Sequence, residues 1–274
     1  MVKITVGGIV FNGESSLPEG MLRAWLEQIY KIGDEIIIVE GATKALTHYW
    51  DGDAAWATPN GSSTDNTVQI IREFPDPENK IKLIESDGFW DGKTEMTNEW
   101  SKHMTGDYIW VISTDEFYFE EDVKKILNLL NTQIPDQVDF YANHFWGDFG
   151  HCIDEFTGAS WGNDTPWERI FRHVRGAKWA RHEPPWYLHP DGLLTNQKRL
   201  ITRDQTLNLG IKMNHYAFVS EKQINFKQRF YKNESYGPLW NEWKKNHNIP
   251  LIKGATTVKY EEDHPKVIQE IING

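Results

Sequence analysis

Residues 106–122 read GDYIWVISTDEFYFEED, and this stretch decides the fold class. The apolar and β-branched run from Tyr108 to Ile112 predicts a buried strand. It ends abruptly in Ser113, Thr114, Asp115 and Glu116. Adjacent carboxylates at a strand end repel each other, which favours a cation beside them. Taken alone, however, the TDE triplet is better explained as the cap of a helix over residues 116–130.

The sequence before this stretch alternates between strand and helix patterns. It predicts strands at residues 3–11, 34–42, 80–86 and 107–114, and helices at residues 17–33, 62–74 and 94–104. A polar, glycine-rich insertion, residues 43–61, separates the second strand from the second helix. Strand–helix alternation with short links predicts an α/β fold with a mostly parallel sheet and right-handed crossovers.

After Pro135 the pattern becomes irregular. We predict short strands within residues 137–147 and 169–174, a loop at residues 158–168 and a basic amphipathic helix at residues 220–237. No Pro/Gly-rich linker and no internal repeat interrupts the chain. The sequence therefore predicts one continuous globule whose loop-rich second half completes the first.

The composition limits the classes of protein to be considered. A net charge of −11 over 274 residues argues against nucleic-acid binding, which needs a basic face. The single cysteine, Cys152, excludes an internal disulfide and favours a reducing compartment. No signal peptide or membrane span is apparent, so we expect a soluble, cytoplasmic protein. The 13 tryptophans are mostly expected in the core, with some as stacking surfaces for sugars.

The polar strand ends indicate where a ligand would bind. Asn12 follows the first predicted strand, Glu40 ends the second, and Asp115 and Glu116 follow the fourth. In open parallel sheets, ligands bind beyond the carboxyl ends of the strands. Mg²⁺ and Mn²⁺ take few protein oxygens together with substrate phosphates, which suits a site with one or two carboxylates.

The motifs in this order resemble those of the family 2 glycosyltransferases, which have the nucleotide-sugar-binding GT-A fold. The resemblance lies in an S-x-D-x-T helix start at Ser63, in Asn98 on the next helix, and in GDYI running into the DxD position. That position reads Ser113-Thr114-Asp115, so its first acid is missing, although a following glutamate is a variant that the family uses.

The second half carries the same resemblance. Residues 168–185, ERIFRHVRGAKWARHEPP, are similar to the R-x-F-R…H-E segment of a subgroup, and residues 213–231 are similar to its H-Y-A strand and basic helix. The resemblance covers roughly residues 2–235 and implies a glycosyltransferase domain over residues 1–235. Residues 1–134 would form its nucleotide-sugar half and residues 135–235 its acceptor half, with residues 236–274 as an extension packed on the same globule.

The resemblance implies a metal-dependent enzyme that transfers a sugar, with inversion, from a nucleotide-sugar to an acceptor hydroxyl. A UDP-sugar is the favoured donor, Mn²⁺ or Mg²⁺ the cofactor, and a glycan or another hydroxyl compound the acceptor. One alternative is a non-catalytic sugar- or nucleotide-binding relic, which the missing first acid favours. The other is a sugar nucleotidyltransferase, but residues 11–20, FNGESSLPEG, lack the basic residue that such an enzyme needs.

The resemblance also implies a role for individual residues. Asp115 and His215 are the predicted metal ligands, and Glu183 is the predicted general base, with His182, Glu168 and Asp164 as rivals. The predicted contacts to the nucleotide-sugar are Asn12, Glu40, Asp65, Asp87, Lys93, Thr114, Glu116, Arg169, Lys227 and Arg229, with Arg172 as an alternative to Arg169. Lys227 and Arg229 would hold the leaving diphosphate as charge-assisted donors.

Overall fold

The computed structural model describes residues 1–44, 56–154, 166–251 and 254–274. Most of the predicted insertion at residues 43–61, most of the predicted loop at residues 158–168, and the candidate base Asp164 lie outside the described residues.

Within these ranges the chain forms the following elements. The strands are β1 Ile4–Val10, β2 Glu35–Glu40, β3 Ile81–Glu85, β4 Tyr108–Val111, β5 Glu116–Phe117, β6 Gln137–Phe140, β7 Ala142–Trp146, β8 His151–Ile153, β9 Trp167–Arg172, β10 Lys178–Arg181, β11 Trp186–Leu188, β12 Leu200–Ile201, β13 Met213–Phe218 and β14 Thr257–Lys259. The helices are α1 Gly13–Ser16, α2 Met21–Ile32, α3 Thr67–Glu73, α4 Lys93–His103, α5 Glu120–Gln133, α6 Arg203–Asn208, α7 Glu221–Phe230, α8 Tyr236–Trp243 and α9 Lys266–Asn273.

A seven-stranded sheet in the order β12-β6-β9-β4-β1-β2-β3 forms the centre of the molecule. β4, β1, β2 and β3 pair in parallel, whereas β9 is antiparallel to both of its neighbours, β4 and β6. This mixed, mostly parallel sheet flanked by helices confirms the predicted fold class. The carboxyl ends of β1, β2 and β4 consequently lie at one edge of the sheet.

Two glycines in β1 allow helices to pack closely on both faces of the sheet. A Cβ atom at Gly8 would lie 2.6 Å from the Trp25 ring of α2, and one at Gly7 would lie 2.8 Å from the Trp100 ring of α4. Both indoles are fully buried. The Trp25 indole N–H donates to the carbonyl of Ile112 at 3.2 Å, so α2 is attached directly to the end of β4.

The predicted helix over residues 116–130 begins later than expected. Glu116 and Phe117 form β5, which pairs antiparallel with β13, and α5 starts only at Glu120. Phe117 is fully buried, and pairing with β13 satisfies the backbone while that ring enters the core. Asp115 is therefore not a helix cap, and the interpretation of TDE as a cap is wrong.

The predicted helix over residues 220–237 is divided in two. α7 ends at Phe230, and Lys232 adopts a left-handed conformation with φ of 49°, which ends the helix before α8. The tail also adds β14 to a second, five-stranded sheet in the order β14-β8-β7-β13-β5, and α9 packs on α2. In the described parts of the chain, every helix is too short or too polar to cross a bilayer.

Candidate active site

A cavity of about 770 Å³ opens beyond the carboxyl ends of β1 and β4. The predicted site residues that line it are Lys93, Thr114, Asp115, Glu116, Glu168, Arg169, His182, Glu183, His215 and Lys227. They come from four separate parts of the chain: α4, the end of β4, the segment from β9 to β11, and β13 with α7. The sheet edge predicted from the sequence is thus the edge at which these residues meet.

Asp115 lies at the centre of the cavity wall and is held by two cationic or potentially cationic groups. The Lys227 ammonium donates to Oδ2 of Asp115 at 3.0 Å, and Nε2 of His215 lies 3.6 Å from Oδ1. Burial by itself raises the pKa of Asp115, but Lys227 and His215 outweigh burial and hold that pKa well below its usual range. Asp115 is therefore ionised, and Lys227 is its closest counter-charge.

A histidine pair continues this network below Asp115. The Nδ1 atoms of His215 and His144 are 2.9 Å apart, and the Trp167 ring packs against both imidazoles. Burial, and after it the neighbouring His215, hold the pKa of His144 well below its usual range. One of the two Nδ1 atoms must carry the proton that the other accepts. His144 thus fixes the orientation of the His215 ring that faces Asp115.

Glu116 is held by a buried guanidinium rather than facing the cavity freely. The Arg169 Nη2 donates to Oε1 of Glu116 at 2.6 Å and its Nε donates to Oε2 at 2.9 Å. Glu116 is 1 % exposed, and the guanidinium also packs on the Trp167 ring. Such a fork leaves the carboxylate few free lone pairs, so its main role is to hold Arg169 in place.

A buried carboxylate pair lies beside this fork. The Gln137 amide donates to Asp139 at 2.8 Å and to Glu168 at 3.4 Å, while its carbonyl accepts from Thr195 at 2.7 Å. Burial, followed by the nearby Asp139, raises the pKa of Glu168 to about 7, and burial raises the pKa of Asp139 to about 6. We did not predict Gln137 and Asp139 as part of the site, although their alternation with Val138 and Phe140 in a buried strand is the pattern that could have indicated it.

Lys93, His182 and Glu183 also line the cavity. Lys93 is half-buried, and its ammonium makes no hydrogen bond or ion pair with any residue that the structure describes. Burial lowers the pKa of Lys93, and nearby Glu183 partly opposes this effect. Burial, Lys93 and Arg169 together lower the pKa of His182 to about 3, so that imidazole is neutral and a weak base. Glu183 is exposed at the rim.

Three predicted nucleotide-binding residues lie outside the cavity lining and support the neighbouring loops instead. Glu40 accepts from the hydroxyl of Ser62 at 2.9 Å and from the hydroxyl and amide of Ser63 at 2.6 and 2.7 Å. Asn12 accepts from the amide of Thr64 at 2.9 Å, and Asp65 accepts from the amide of Ser15 at 2.7 Å. These contacts join the end of β1 to the segment that leads into α3.

The other predicted contacts lie further from the cavity. Asp87 is exposed after β3, and Arg229 is exposed on α7 with its guanidinium over the Trp56 ring at 5.2 Å. Arg172 is also exposed and lies 3.7 Å from Asp136. Of the two arginines predicted as alternatives, Arg169 lines the cavity and Arg172 does not.

Residues 55–148 match the family model of glycosyl transferase family 2. The chain carries a family 2-like glycosyltransferase segment. This segment contains α3, α4, β4 and the strand end with Asp115, and it confirms the resemblance seen in the sequence.

Similar solved structures were also found, although no curated protein matches the chain. A mannosyltransferase from Pyrobaculum calidifontis in complex with GDP-Man and Mn²⁺ has a TM-score of 0.48 and 12% identity, over 99% of this chain and 68% of that one. S. aureus TarS 1–349 has a TM-score of 0.43 and 15% identity, over 84% of this chain and 62% of that one. The same protein with UDP-GlcNAc has a TM-score of 0.36 and 17% identity, over 52% and 34%. The chain thus spans less than two thirds of the TarS chains.

The donor atoms around Asp115 do not fit the divalent cation that the family implies. Ser113 stands where the first acid of the motif would be, Glu116 is committed to Arg169, and one oxygen of Asp115 already accepts from Lys227. Across residues 1–44, 56–154, 166–251 and 254–274, no group of three or more His, Cys, Asp or Glu side chains could hold a metal ion. Among the described residues, Asp115 and His215 remain as candidate ligands, and the Lys227 ammonium is already bonded to Asp115.

Proposed function

We propose that this protein transfers a sugar from a nucleotide-sugar donor to an acceptor hydroxyl. One observation carries the proposal: Lys93 and Asp115 of the family 2-like segment line one cavity together with Glu183 and Lys227. Cations and carboxylates that line the same cavity suit a reaction that releases an anionic diphosphate and removes a proton. The proposed catalytic unit is residues 1–235, with residues 236–274 packed against it.

We assign the donor's diphosphate to the part of the cavity lined by Lys93 and Lys227. Lys93 begins α4, so its ammonium lies near the amino end of that helix, where anions are stabilised. The end of β1, with Phe11 and Leu17 in the lining, leaves room for the nucleoside on one side. Asn12, Glu40 and Asp65 then act through the loops that they hold together, and a UDP-sugar is the donor we would test first.

Glu183 is the residue that we assign as general base. It lies at the exposed rim, where an acceptor hydroxyl can reach its carboxylate. Glu183 takes the hydroxyl proton as the acceptor oxygen bonds to the anomeric carbon, and the bond from that carbon to the diphosphate breaks. One direct displacement of this kind inverts the configuration. Glu168 remains the rival base because its pKa of about 7 is near neutral pH, whereas His182 is too weakly basic.

The proposal is tested by measuring release of nucleoside diphosphate from UDP- and GDP-sugars, with and without simple hydroxyl acceptors. We expect Glu183→Gln to lower turnover by about a hundredfold or more while donor binding stays unchanged. Glu261→Gln, which alters an exposed glutamate on the tail, is the matched control. Nucleotide binding without turnover for any donor would favour the non-catalytic relic instead. Loss of turnover in Glu168→Gln but not in Glu183→Gln would transfer the role of base to Glu168.

A further inference from the structure

Two lysines, Lys93 and Lys227, line the cavity at the proposed position of the diphosphate. Lys227 donates to Oδ2 of Asp115 at 3.0 Å, and its ammonium lies 4.7 Å above the Phe218 ring. Both members of the ion pair are largely buried, with side chains 16% and 12% exposed. A buried ion pair in contact with an aromatic face is held in position rather than free to rotate.

Lys93 supplies the second positive charge, and its ammonium lies 5.5 Å from the centroid of the Phe230 ring. Unlike Lys227, it is bound to no carboxylate among the described residues. Its ammonium forms no hydrogen bond or ion pair with the described residues, although burial makes an uncompensated charge costly. Lys227 is close enough to lower the pKa of Lys93 by repulsion. Two lysines thus line the same cavity, and only one of them is bound to a carboxylate in the described parts of the chain.

The position that a divalent cation would take has few free protein ligands. Asp115 is the one carboxylate of the motif that remains, and the ammonium of Lys227 already neutralises it. A metal bound there would have to displace that ammonium or share the carboxylate with it. The positive charge that family members place between this carboxylate and a diphosphate is, in this chain, already provided by a side chain.

We propose that Lys227, oriented by Asp115, and Lys93 together neutralise the donor's diphosphate, so that donor binding and transfer need no divalent cation. This inference rests on the proposed function and specifies how its leaving group is stabilised. When the bond from the anomeric carbon to the diphosphate breaks, its electron pair passes to the phosphate oxygen, which the two ammonium groups stabilise. The acceptor proton moves to Glu183, so charge and atoms balance without a further reactant.

Binding is measured first, by titrating the whole chain with UDP and with GDP in a calorimeter. Each titration is run in EDTA and again with Mn²⁺ or Mg²⁺. We expect the affinity for the bound nucleotide to be the same in EDTA and in metal. Lys93→Met and Lys227→Met are each expected to weaken it by about tenfold to a hundredfold, the usual effect of losing a charged hydrogen bond.

Two further variants separate charge from folding. Lys227→Arg keeps the charge and is expected to retain most of the metal-free binding. Lys222→Met removes an exposed lysine from the same helix and is expected to leave binding unchanged. The melting temperature of each variant without ligand shows whether it is folded.

The outcomes also separate this inference from the function on which it depends. Binding that appears only with Mn²⁺ or Mg²⁺, and that Lys227→Met leaves intact or strengthens, would overturn the lysine proposal and leave the transferase proposal standing. If wild-type protein binds neither nucleotide with or without metal, the proposed function itself fails. Metal-independent binding lost in both lysine variants, and kept in Lys222→Met, supports both.

Discussion

Two strand ends of the same sheet carry buried carboxylates that the protein treats differently. Glu40 at the end of β2 is bound by the neutral hydroxyls and amide of Ser62 and Ser63, and burial raises its pKa. Asp115, just beyond the end of β4, is bound by an ammonium and an imidazole, and its pKa lies well below the usual range. Both sites are buried, so the charge of the partner decides whether a strand-end carboxylate supports a loop or forms part of an ionic site.

The largest loss of stability is expected from removing the buried guanidinium of Arg169. Arg169→Met removes the guanidinium that donates to both oxygens of Glu116 and leaves this buried carboxylate without a counter-charge. We therefore expect a loss of about 3–5 kcal/mol in the free energy of unfolding. Urea denaturation measures the loss. The double variant Arg169→Met/Glu116→Gln removes the unpaired charge as well and should recover a large part of it. Equal losses in both variants would mean that packing on Trp167, rather than charge, determines the effect.

Removing the cation from Asp115 itself should have a smaller effect, because His215 remains beside that carboxylate. Lys227→Met is expected to lower the free energy of unfolding by about 2–3 kcal/mol near neutral pH, as for the loss of a charged hydrogen bond. The loss should shrink in acid, since the depressed pKa of Asp115 gives stability that is lost as pH falls through its folded value. A loss that is constant with pH would show that the lowered pKa of Asp115 does not depend on Lys227.

Glu168 should show the opposite dependence on pH. Its pKa is raised from 4.5 to about 7, so the folded protein binds a proton more tightly than the unfolded chain between these values. The stability of the wild-type protein therefore falls as pH rises through this window. The free energy of unfolding of Glu168→Gln, relative to that of wild type, should rise by about 1–2 kcal/mol from about pH 5 to about pH 8. Urea denaturation at both values measures it, with Glu261→Gln as the exposed control. Parallel pH profiles for wild type and Glu168→Gln would contradict the raised pKa.

The smallest effect is expected at the neutral donors of Glu40. Ser62→Ala removes one hydroxyl donor to Glu40 and leaves both donors of Ser63 in place, so we expect a loss of about 1 kcal/mol in the free energy of unfolding. Thermal denaturation is sufficient to detect it. Ser63→Ala is expected to cost more, because the Ser63 hydroxyl also accepts from the buried amide of Asn12 at 2.8 Å. If Ser62→Ala cost as much as Lys227→Met, the distinction between neutral and charged partners would not hold.

The fold class was accessible from the sequence because strand and helix periods alternate through the first four strands. The sheet edge that holds the site followed from the same alternation, since parallel strands place their polar ends together. The short strand β5 was not accessible, because Glu116 and Phe117 look like the start of a helix until their pairing with β13 is known. Pairing between residues about a hundred positions apart leaves no local pattern.

The sequence identified several residues that line the cavity, but it did not show how their charges are paired. Residue type identified Asp115, Lys227 and Arg169 as charged groups near the cavity, but it did not reveal which charge faces which. Glu40 lies at a strand end as Asp115 does, yet its oxygens are occupied by two serines. The partner of each carboxylate is set by the tertiary structure, and in this molecule it distinguishes a carboxylate that supports a loop from one that belongs to an ionic site.

Gly7 of β1 has a consequence for the fluorescence of this protein. Because Gly7 has no side chain, the Trp100 ring reaches the cavity lining while remaining buried from bulk water. An indole in that position is an intrinsic fluorophore at the base of the proposed donor site. The emission of this chain therefore offers a label-free signal that changes when a nucleotide base stacks in the cavity. A Trp100→Phe variant would identify the source of that signal among the other tryptophans.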